Sequence, residues 1–323
     1  MAIKDYIKLN SLANTASSAT LSGLGTLICD SINVGGTIAP TGNQNTTLTS
    51  TITSLTVRNN VVLLARSAGR TSNNTPSFNL STGTMTIGGN INAIGQRAVT
   101  STFTMATGSN NATLNLTSAS PTFNLTRSDN LVNTTNFTVN LNGTTTTVNF
   151  SGTNQTIPFA YQASKAGTAA PTTAVVPYRN ISLTNGGVKT LAGTPTINGS
   201  LTVDTLVTFR LGATNAINSG TSNIILTGGT FSSGATTGFA STMGTINLTK
   251  NTTIALGTGN HSLAFAASNA VAWTASKTLT ITGWAGTRNN SGTAGKIFVG
   301  TTSGGLTSTQ LSQVQFLISG ANI

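Results

Sequence analysis

The sequence predicts an all-β protein, either a β-solenoid or an elongated β-sandwich built from short Thr/Asn-rich strands, with two β domains as one arrangement. Three observations favour this class. Aliphatic residues alternate with threonine, serine or asparagine through most of the chain, which is typical of strands with one buried and one solvated face. Apolar residues at the helical period of 3.6 are absent, and strong helix formers are scarce. Turn-forming residues, including 35 glycines, separate the alternating runs.

The spacing of these runs divides the chain into four segments. Residues 1–10 differ in composition from the rest and are predicted to be an N-terminal arm. Residues 11–160 are predicted to be a β-rich domain whose short strands recur about every ten residues, as in hairpins or in successive faces of a solenoid. Residues 161–177 are rich in alanine, proline and threonine and are predicted to be a connector. Residues 178–323 are predicted to be a solenoid-like domain with a capping C-terminal motif, because its strands recur at about 16 to 23 residues.

The C-terminal motif, residues 271–323, contains both tryptophans of the chain. Leu279 and Ile281 alternate with threonines and predict a half-buried strand. The run 297–299 between glycines predicts a short, more fully buried strand. Thr307 is a good N-cap, and the segment from Leu306 to Gln313 is predicted to form one helical turn that covers the open end of the stack. The residues predicted to act in capping or assembly are Trp273, Trp284, Phe298, Leu311 and Phe316.

The same motif carries a resemblance to a known class of proteins. The pieces are LTITGWAG at 279–286, KIFVG at 296–300 and GLTSTQLSQVQF at 305–316, with a related piece at 181–203. They resemble repetitive β-solenoid surface proteins of bacteria, namely autotransporter passengers and the large adhesin-like secreted proteins of Bacteroidetes, mainly over residues 178–316. The resemblance implies a shared scaffold and assigns no binding or catalytic residue.

Charge and composition disfavour nucleic-acid binding. The formal net charge is +11, but 15 Lys and Arg residues are spread over 323 positions, so the basic balance reflects missing acids. The nearest approach to a basic cluster is formed by Arg58, Arg66, Arg70 and Arg97, without the interleaved aromatic residues that stack on bases.

The residues that carry most enzyme chemistry are also scarce. The chain has four acidic residues, all aspartates, and one histidine, His261. Cys29 is the single cysteine, so no internal disulfide forms, and its apolar neighbours predict a buried thiol. Neither a metal-ligand spacing nor a phosphate-binding loop is present. We therefore expect no enzyme activity, no catalytic residue, no cofactor and no metal.

Residues 1–8 lack the apolar core of a secretory signal, and no run reaches the roughly 18 apolar residues of a membrane helix. We expect a structural protein without a membrane span, located outside the cell or on its surface. It would be a filament subunit or adhesin segment that self-assembles through strand edges and termini, with surface glycans as further partners. The alternatives are a virion protein of the capsid or fibre type, favoured by the basic balance, and a solenoid that binds ice or glycans. Ice would bind to threonine ladders such as 49–56, and sugars would stack on Trp273 and Trp284.

Overall fold

The computed structural model describes residues 6–9, 16–36, 44–65, 67–68, 72–96, 98–105, 110–129, 133–218, 220–286, 294–318 and 321–322. It confirms the predicted fold class, because nearly all of its regular structure is β-strand and most neighbouring strands pair in parallel. The chain divides into two compact units. Unit 1 contains residues 1–149 and 160–179, and unit 2 contains residues 150–159 and 180–323.

The strands of the first half are β1 Tyr6–Leu9, β2 Ser17–Leu21, β3 Thr26–Cys29, β4 Ser31–Gly35, β5 Gln44–Ser50, β6 Ser54–Val57, β7 Val61–Leu64, β8 Ser67–Ala68, β9 Ser72–Leu80, β10 Gly83–Ile87, β11 Ile91–Gly95, β12 Thr100–Met105, β13 Ala112–Leu116, β14 Phe123–Arg127, β15 Thr134–Asn140, β16 Thr146–Phe150, β17 Gln155–Thr156, β18 Ala160–Ala166, β19 Thr172–Val175 and β20 Pro177–Tyr178.

The strands of the second half are β21 Asn180–Leu183, β22 Gly187–Leu191, β23 Thr196–Ile197, β24 Ser200–Asp204, β25 Val207–Leu211, β26 Asn223–Thr227, β27 Thr230–Ser232, β28 Ser241–Met243, β29 Ile246–Leu248, β30 Thr252–Ala255, β31 His261–Phe265, β32 Leu279–Thr282, β33 Gly295–Val299, β34 Val314–Ile318 and β35 Ala321–Asn322. A 3₁₀ turn spans Ser303–Gly305, and one short helix, α1, spans Ser308–Leu311.

Unit 1 is a three-sided parallel solenoid. Its coils contribute one strand in turn to each of three sheets, which run β1-β4-β7-β11-β14, β2-β5-β9-β12-β15 and β3-β6-β10-β13-β16. Leu55 pairs with Met85, and Met85 with Leu114, so equivalent positions are 30 and 29 residues apart. This period is three times the spacing of about ten residues seen in the sequence, because each coil holds three strands. The sequence left hairpins and solenoid coils open for residues 11–160, and the described strands of this segment form solenoid coils.

The core of unit 1 consists of the inward residue of each strand, stacked on its equivalent one coil away. Phe78 and Phe103 stack with ring centroids 5.5 Å apart and an interplanar angle of 6°. Both rings are fully buried. Threonine, serine and asparagine alternate with these residues on the outer surface. In a parallel ladder, equivalent positions of successive coils lie directly above one another. Similar side chains therefore recur at equivalent positions, where they stack.

Unit 2 is also built from parallel ladders. Ile181, Leu201, Ile224 and Ile246 are in register in the sheet segment β21-β24-β26-β29. These positions are 20, 23 and 22 residues apart, the repeat that the sequence indicated. The later predicted positions belong to other sheets, since Leu263 pairs with Ile297 and Leu279 pairs with Val314.

Two segments differ from their predicted roles. Residues 161–177, predicted as a connector, contain β18 and β19, which pair antiparallel with each other, while β18 also pairs with β15 of unit 1. Tyr161 packs edge-on against Phe137, and Val176 and Tyr178 are buried. The predicted arm at 1–10 contains β1, which pairs in parallel with β4 of its own chain. The other arm residues, 1–5 and 10, lie outside the described residues. In residues 161–177, the burial of Val176 and the packing of Tyr161 on Phe137 override a composition rich in alanine and proline, whereas Ile7 and Leu9 of β1 are only half-buried.

Candidate functional site: the first and last coils

The last coil of unit 2 is held by a capped helical turn. Thr307 Oγ1 accepts a hydrogen bond from the Gln310 backbone N–H at 3.1 Å, and Gln310 Oε1 accepts one from the Thr307 N–H at 2.7 Å. This reciprocal capping box confirms the helical turn predicted around Thr307. The Gln310 side-chain amide also donates to the carbonyls of Ser268 at 2.9 Å and Val271 at 2.8 Å. The buried Gln310 thus ties α1 to the preceding loop.

An apolar cavity of about 310 Å³ lies within unit 2 at this last coil. Its walls include strand residues of β30, β32, β33 and β34, namely Ile254, Leu279, Ile281, Ile297, Val314 and Phe316. None of its described lining residues is charged, and Thr302 and Ser303 add two hydroxyls. The space is open on one side, since Thr302, Ser303 and Leu311 on its wall are exposed, so it is an apolar surface pocket of unit 2.

Four of the five residues predicted to cap or assemble lie at this coil. Trp273, Leu311 and Phe316 line the cavity. The Trp273 indole donates to the Ile246 carbonyl at 2.9 Å. Trp284 packs against Phe316 with ring centroids 5.3 Å apart. Leu311 remains 54% exposed, so it forms part of the rim.

The expectation that residues 297–299 form a more fully buried strand is wrong about their burial. Residues 295–299 do form a strand, β33, but Phe298 is 51% exposed and its neighbours are half-buried. The side chains of Ile297 and Val299 line the cavity, and alternation directs Phe298 to the opposite face. Among the described strands, β33 is the outer strand of its sheet, β28-β31-β33, so no further ladder covers it.

The first coil of unit 1, formed by β1, β2 and β3, has a similarly open side. Each of these strands is the last described strand of its sheet. Ile7 is half-buried, whereas its equivalent one coil later, Ile32, is completely buried. Leu27 is likewise half-buried and pairs with the buried Leu55. The inward face of this coil is therefore apolar and only partly covered by the described residues.

Leu24 lies in the turn between β2 and β3 and is 101% exposed. It is flanked by Gly23, whose φ is +124°, and by Gly25. No heavy atom lies within 4 Å of an ideal Cβ built at either glycine. The turn therefore projects a single large aliphatic side chain away from the coil. A single exposed leucine of this kind is ordinary on a protein surface.

A buried serine–histidine pair in unit 2 gave no signal in the sequence. Ser233 Oγ lies 2.9 Å from His261 Nε2, and His261 Nδ1 lies 2.9 Å from the Gly259 carbonyl oxygen. The Gly257 N–H donates to Ser233 Oγ at 2.8 Å. His261 begins β31 and is 6% exposed. Ser233 is completely buried, so this pair joins neighbouring coils and offers no room for a substrate.

The other ionisable groups are dispersed. Cys29 is buried as predicted, and burial together with Asp30 raises the pKa of its thiol to about 11. Asp129 accepts from Arg127 Nε at 2.7 Å, and Asp30 accepts from Arg58 at 2.8 Å. Among the described residues, no group of three or more histidine, cysteine or acidic side chains is placed to hold a metal ion. Of the sparse arginine cluster, Arg66, Arg70 and Arg97 lie outside the described residues.

Comparison with known proteins places the chain in no family. No family model matches the sequence, and neither the curated proteins nor the solved structures contain a match. The resemblance to bacterial surface solenoids accordingly remains a prediction from the motifs at 279–316. Within the described ranges we find no helix with the length and apolar character that crossing a membrane requires.

Proposed function

We propose that this protein is a non-catalytic structural component of an extracellular surface, and that its copies associate through the open coils described above. The observation that carries the proposal is the first coil of unit 1. Three strands there lack a described neighbour on one side, and the inward aliphatic side chains are half-buried. Strand edges of this kind pair readily with another chain unless they are covered or charged.

The energetics support association at such a coil. Each apolar Å² removed from water contributes about 25 cal/mol, so covering about 100 Å² of the first coil would contribute about 2.5 kcal/mol. Little opposes this gain electrostatically, because charged residues make up 6% of the chain. Lys8 is the only charged side chain in β1, β2 and β3.

The test is the mass of the purified protein at increasing concentration, measured by light scattering after size exclusion and compared with negative-stain images. We expect the mass to rise with concentration and ordered assemblies to appear. A single monomeric mass at every concentration would contradict the proposal. Ordered filaments would support the cell-surface form of the proposal, whereas closed shells or short fibres would favour the virion alternative.

One sheet of unit 1 favours a second candidate function, binding of ice. The outward side chains of the sheet β2-β5-β9-β12-β15 form two unbroken columns of hydroxyl and amide groups. The first column is Ser18, Thr47, Ser77, Thr102 and Thr138, and the second is Thr20, Thr49, Asn79, Thr104 and Asn140. Strands in a sheet are about 4.8 Å apart, so the hydroxyls repeat at a spacing suited to ordered water.

Thermal hysteresis and inhibition of ice recrystallisation measure this second function directly. Thr102→Tyr would interrupt the first column and is expected to abolish both effects. Thr86→Tyr places the same ring at an outward position of the sheet containing β10 and is expected to leave them unchanged. A wild-type protein without either effect would exclude ice binding and leave the structural proposal intact.

A further inference from the structure

The sequence contains three Asn-Gly pairs, at 142–143, 185–186 and 198–199. Such pairs are the most prone to lose ammonia from the asparagine, because glycine has no Cβ to shield its backbone nitrogen from the preceding side chain. All three asparagines are exposed, so exposure does not distinguish them. The three pairs differ in how firmly the surrounding coils hold their backbone.

The first pair lies in the longest of the three connections. β15 ends at Asn140 and β16 begins at Thr146, so residues 141–145 join the two strands. Among the described residues, neither the Asn142 side chain nor the peptide group between Asn142 and Gly143 makes a hydrogen bond. The Gly143 carbonyl accepts from the Thr146 N–H at 3.0 Å, which is a local bond. The peptide group that follows Asn142 can therefore rotate without losing a contact to another coil.

The second pair is held by its conformation and its contacts. Asn185 has φ of +63°, and its side-chain amide donates to the Ser151 carbonyl at 2.9 Å. Gly187 continues the turn with φ of +70°, and an ideal Cβ there would lie 1.8 Å from the Thr153 carbonyl oxygen. Rotation of the peptide group after Asn185 would first have to separate this turn from the loop that contains Ser151 and Thr153.

The third pair is held on both sides by the following coil. Asn198 and Gly199 are the only residues between β23 and β24. The Ile197 carbonyl accepts from Ser222 Oγ at 2.7 Å, and the Gly199 carbonyl accepts from the Asn223 N–H at 2.9 Å. Rotation of the peptide group after Asn198 would therefore strain or break contacts between coils.

We propose that Asn142 is a modification site, at which the folded protein undergoes deamidation. The Gly143 backbone nitrogen attacks Cγ of Asn142, and the new C–N bond closes a cyclic succinimide. The side-chain nitrogen leaves as ammonia and takes the proton of the Gly143 N–H. Solvent water then opens the ring at either carbonyl and gives aspartate or isoaspartate. The reaction consumes only water, and the inference is independent of the proposed function.

The product changes both the charge and the backbone of the connection at 141–145. It adds a carboxylate to a chain that has four acidic residues. Isoaspartate also lengthens the main chain by a methylene group. The Asn142 N–H donates to Asn140 Oδ1 at 3.3 Å, so the change adjoins the outward column of hydroxyl and amide groups that ends at Asn140.

Peptide mapping by mass spectrometry measures all three pairs in one sample of the folded protein, incubated in mildly alkaline buffer. We expect Asn142 to deamidate at least about tenfold faster than Asn185 and Asn198, because the other two pairs must first open contacts between coils. The same incubation in denaturant is the control. There the three pairs should react at similar rates, because the contacts that hold two of them are lost.

Two matched variants identify the site by charge. Cation-exchange chromatography of the incubated wild type should resolve a form that binds less tightly, because it carries one additional negative charge. Asn142→Gln should lack this form, since a glutamine side chain closes the corresponding ring far more slowly. Asn198→Gln, at another exposed asparagine before a glycine, should retain it. Equal rates at the three pairs in the folded protein, a faster reaction at Asn185 or Asn198, or an acidic form that persists in Asn142→Gln would overturn the inference.

Discussion

Lys189 Nζ lies 3.1 Å from Gln155 Oε1 and 3.2 Å from the Thr153 carbonyl oxygen inside unit 2. The lysine is completely buried, and its partners are neutral. Gln155 Oε1 also accepts from the Gly152 N–H at 2.9 Å, so one side-chain oxygen joins the lysine to the preceding loop. Because burial disfavours the ammonium form, it lowers the pKa of Lys189 from 10.5 to about 8.

This lowered pKa predicts that the protein becomes more stable as the pH rises from about 8 to 10.5. In that interval the unfolded chain holds a proton at Lys189 and the folded chain does not. Unfolding therefore takes up a proton, and a rise in pH makes unfolding less favourable. The full change corresponds to about 3 kcal/mol. The measurement is the free energy of unfolding in denaturant at several pH values for the wild type and Lys189→Met. The variant should lose this rise, whereas Lys250→Met, at an exposed lysine, should keep it. Equal pH dependence in all three proteins would contradict the assignment.

The Ser233–His261 contact is predicted to contribute to the stability of unit 2. Ser233→Ala removes the hydrogen-bond partner of the buried His261 Nε2 and of the half-buried Gly257 N–H. We expect a loss of about 2–4 kcal/mol in the free energy of unfolding. Ser262→Ala, at the outward position next to His261, should change stability by less than about 0.5 kcal/mol. Similar stabilities for the two variants would show that the contact contributes little.

The stability of the last coil should depend more on Gln310 than on the exposed neighbours of Gln310. Gln310→Ala removes half of the capping box and both bonds to the loop at 268–271. We expect hydrogen exchange to accelerate in that loop and stability to fall by about 2–3 kcal/mol. Thr309→Ala is the control, since Thr309 is an exposed residue of the same helix. Unchanged exchange at 268–271 would show that the loop is held by other contacts.

A glycine at the start of β22 is required by its backbone and by a close approach. Gly187 has φ of +70°, and an ideal Cβ there would lie 1.8 Å from the Thr153 carbonyl oxygen. Gly187→Ala must therefore displace the coil containing Thr153, and we expect a loss of more than about 2 kcal/mol in thermal or denaturant unfolding. Gly220→Ala meets nothing within 4 Å and should be nearly neutral. A neutral Gly187→Ala would show that the two coils separate at little cost.

Local chemistry alone determined several features of this protein. Alternation of aliphatic and hydroxyl residues identified the strands, and the regular recurrence of Ile181, Leu201 and Ile224 indicated a repeating coil. The Thr307 and Gln310 pair indicated the closing helical turn. Each of these signals lies within a few residues or in a single period of the sequence, where side-chain alternation and capping act directly.

The tertiary structure decided the rest. Alternation with a period of two residues indicates which side chains face inward. It does not indicate which strand pairs with which. Short strands ten residues apart are equally compatible with hairpins and with coils, and only pairing across about 30 residues makes the latter. The same limit applies to Phe298, whose exposure follows from the side of β33 that the core occupies, and to residues 160–175, whose strands form because β15 offers an edge. Lys189 and Gln155 meet for this reason too: contacts between coils join residues that are distant in the chain, and their stability comes from burial that exists only once the coils are stacked.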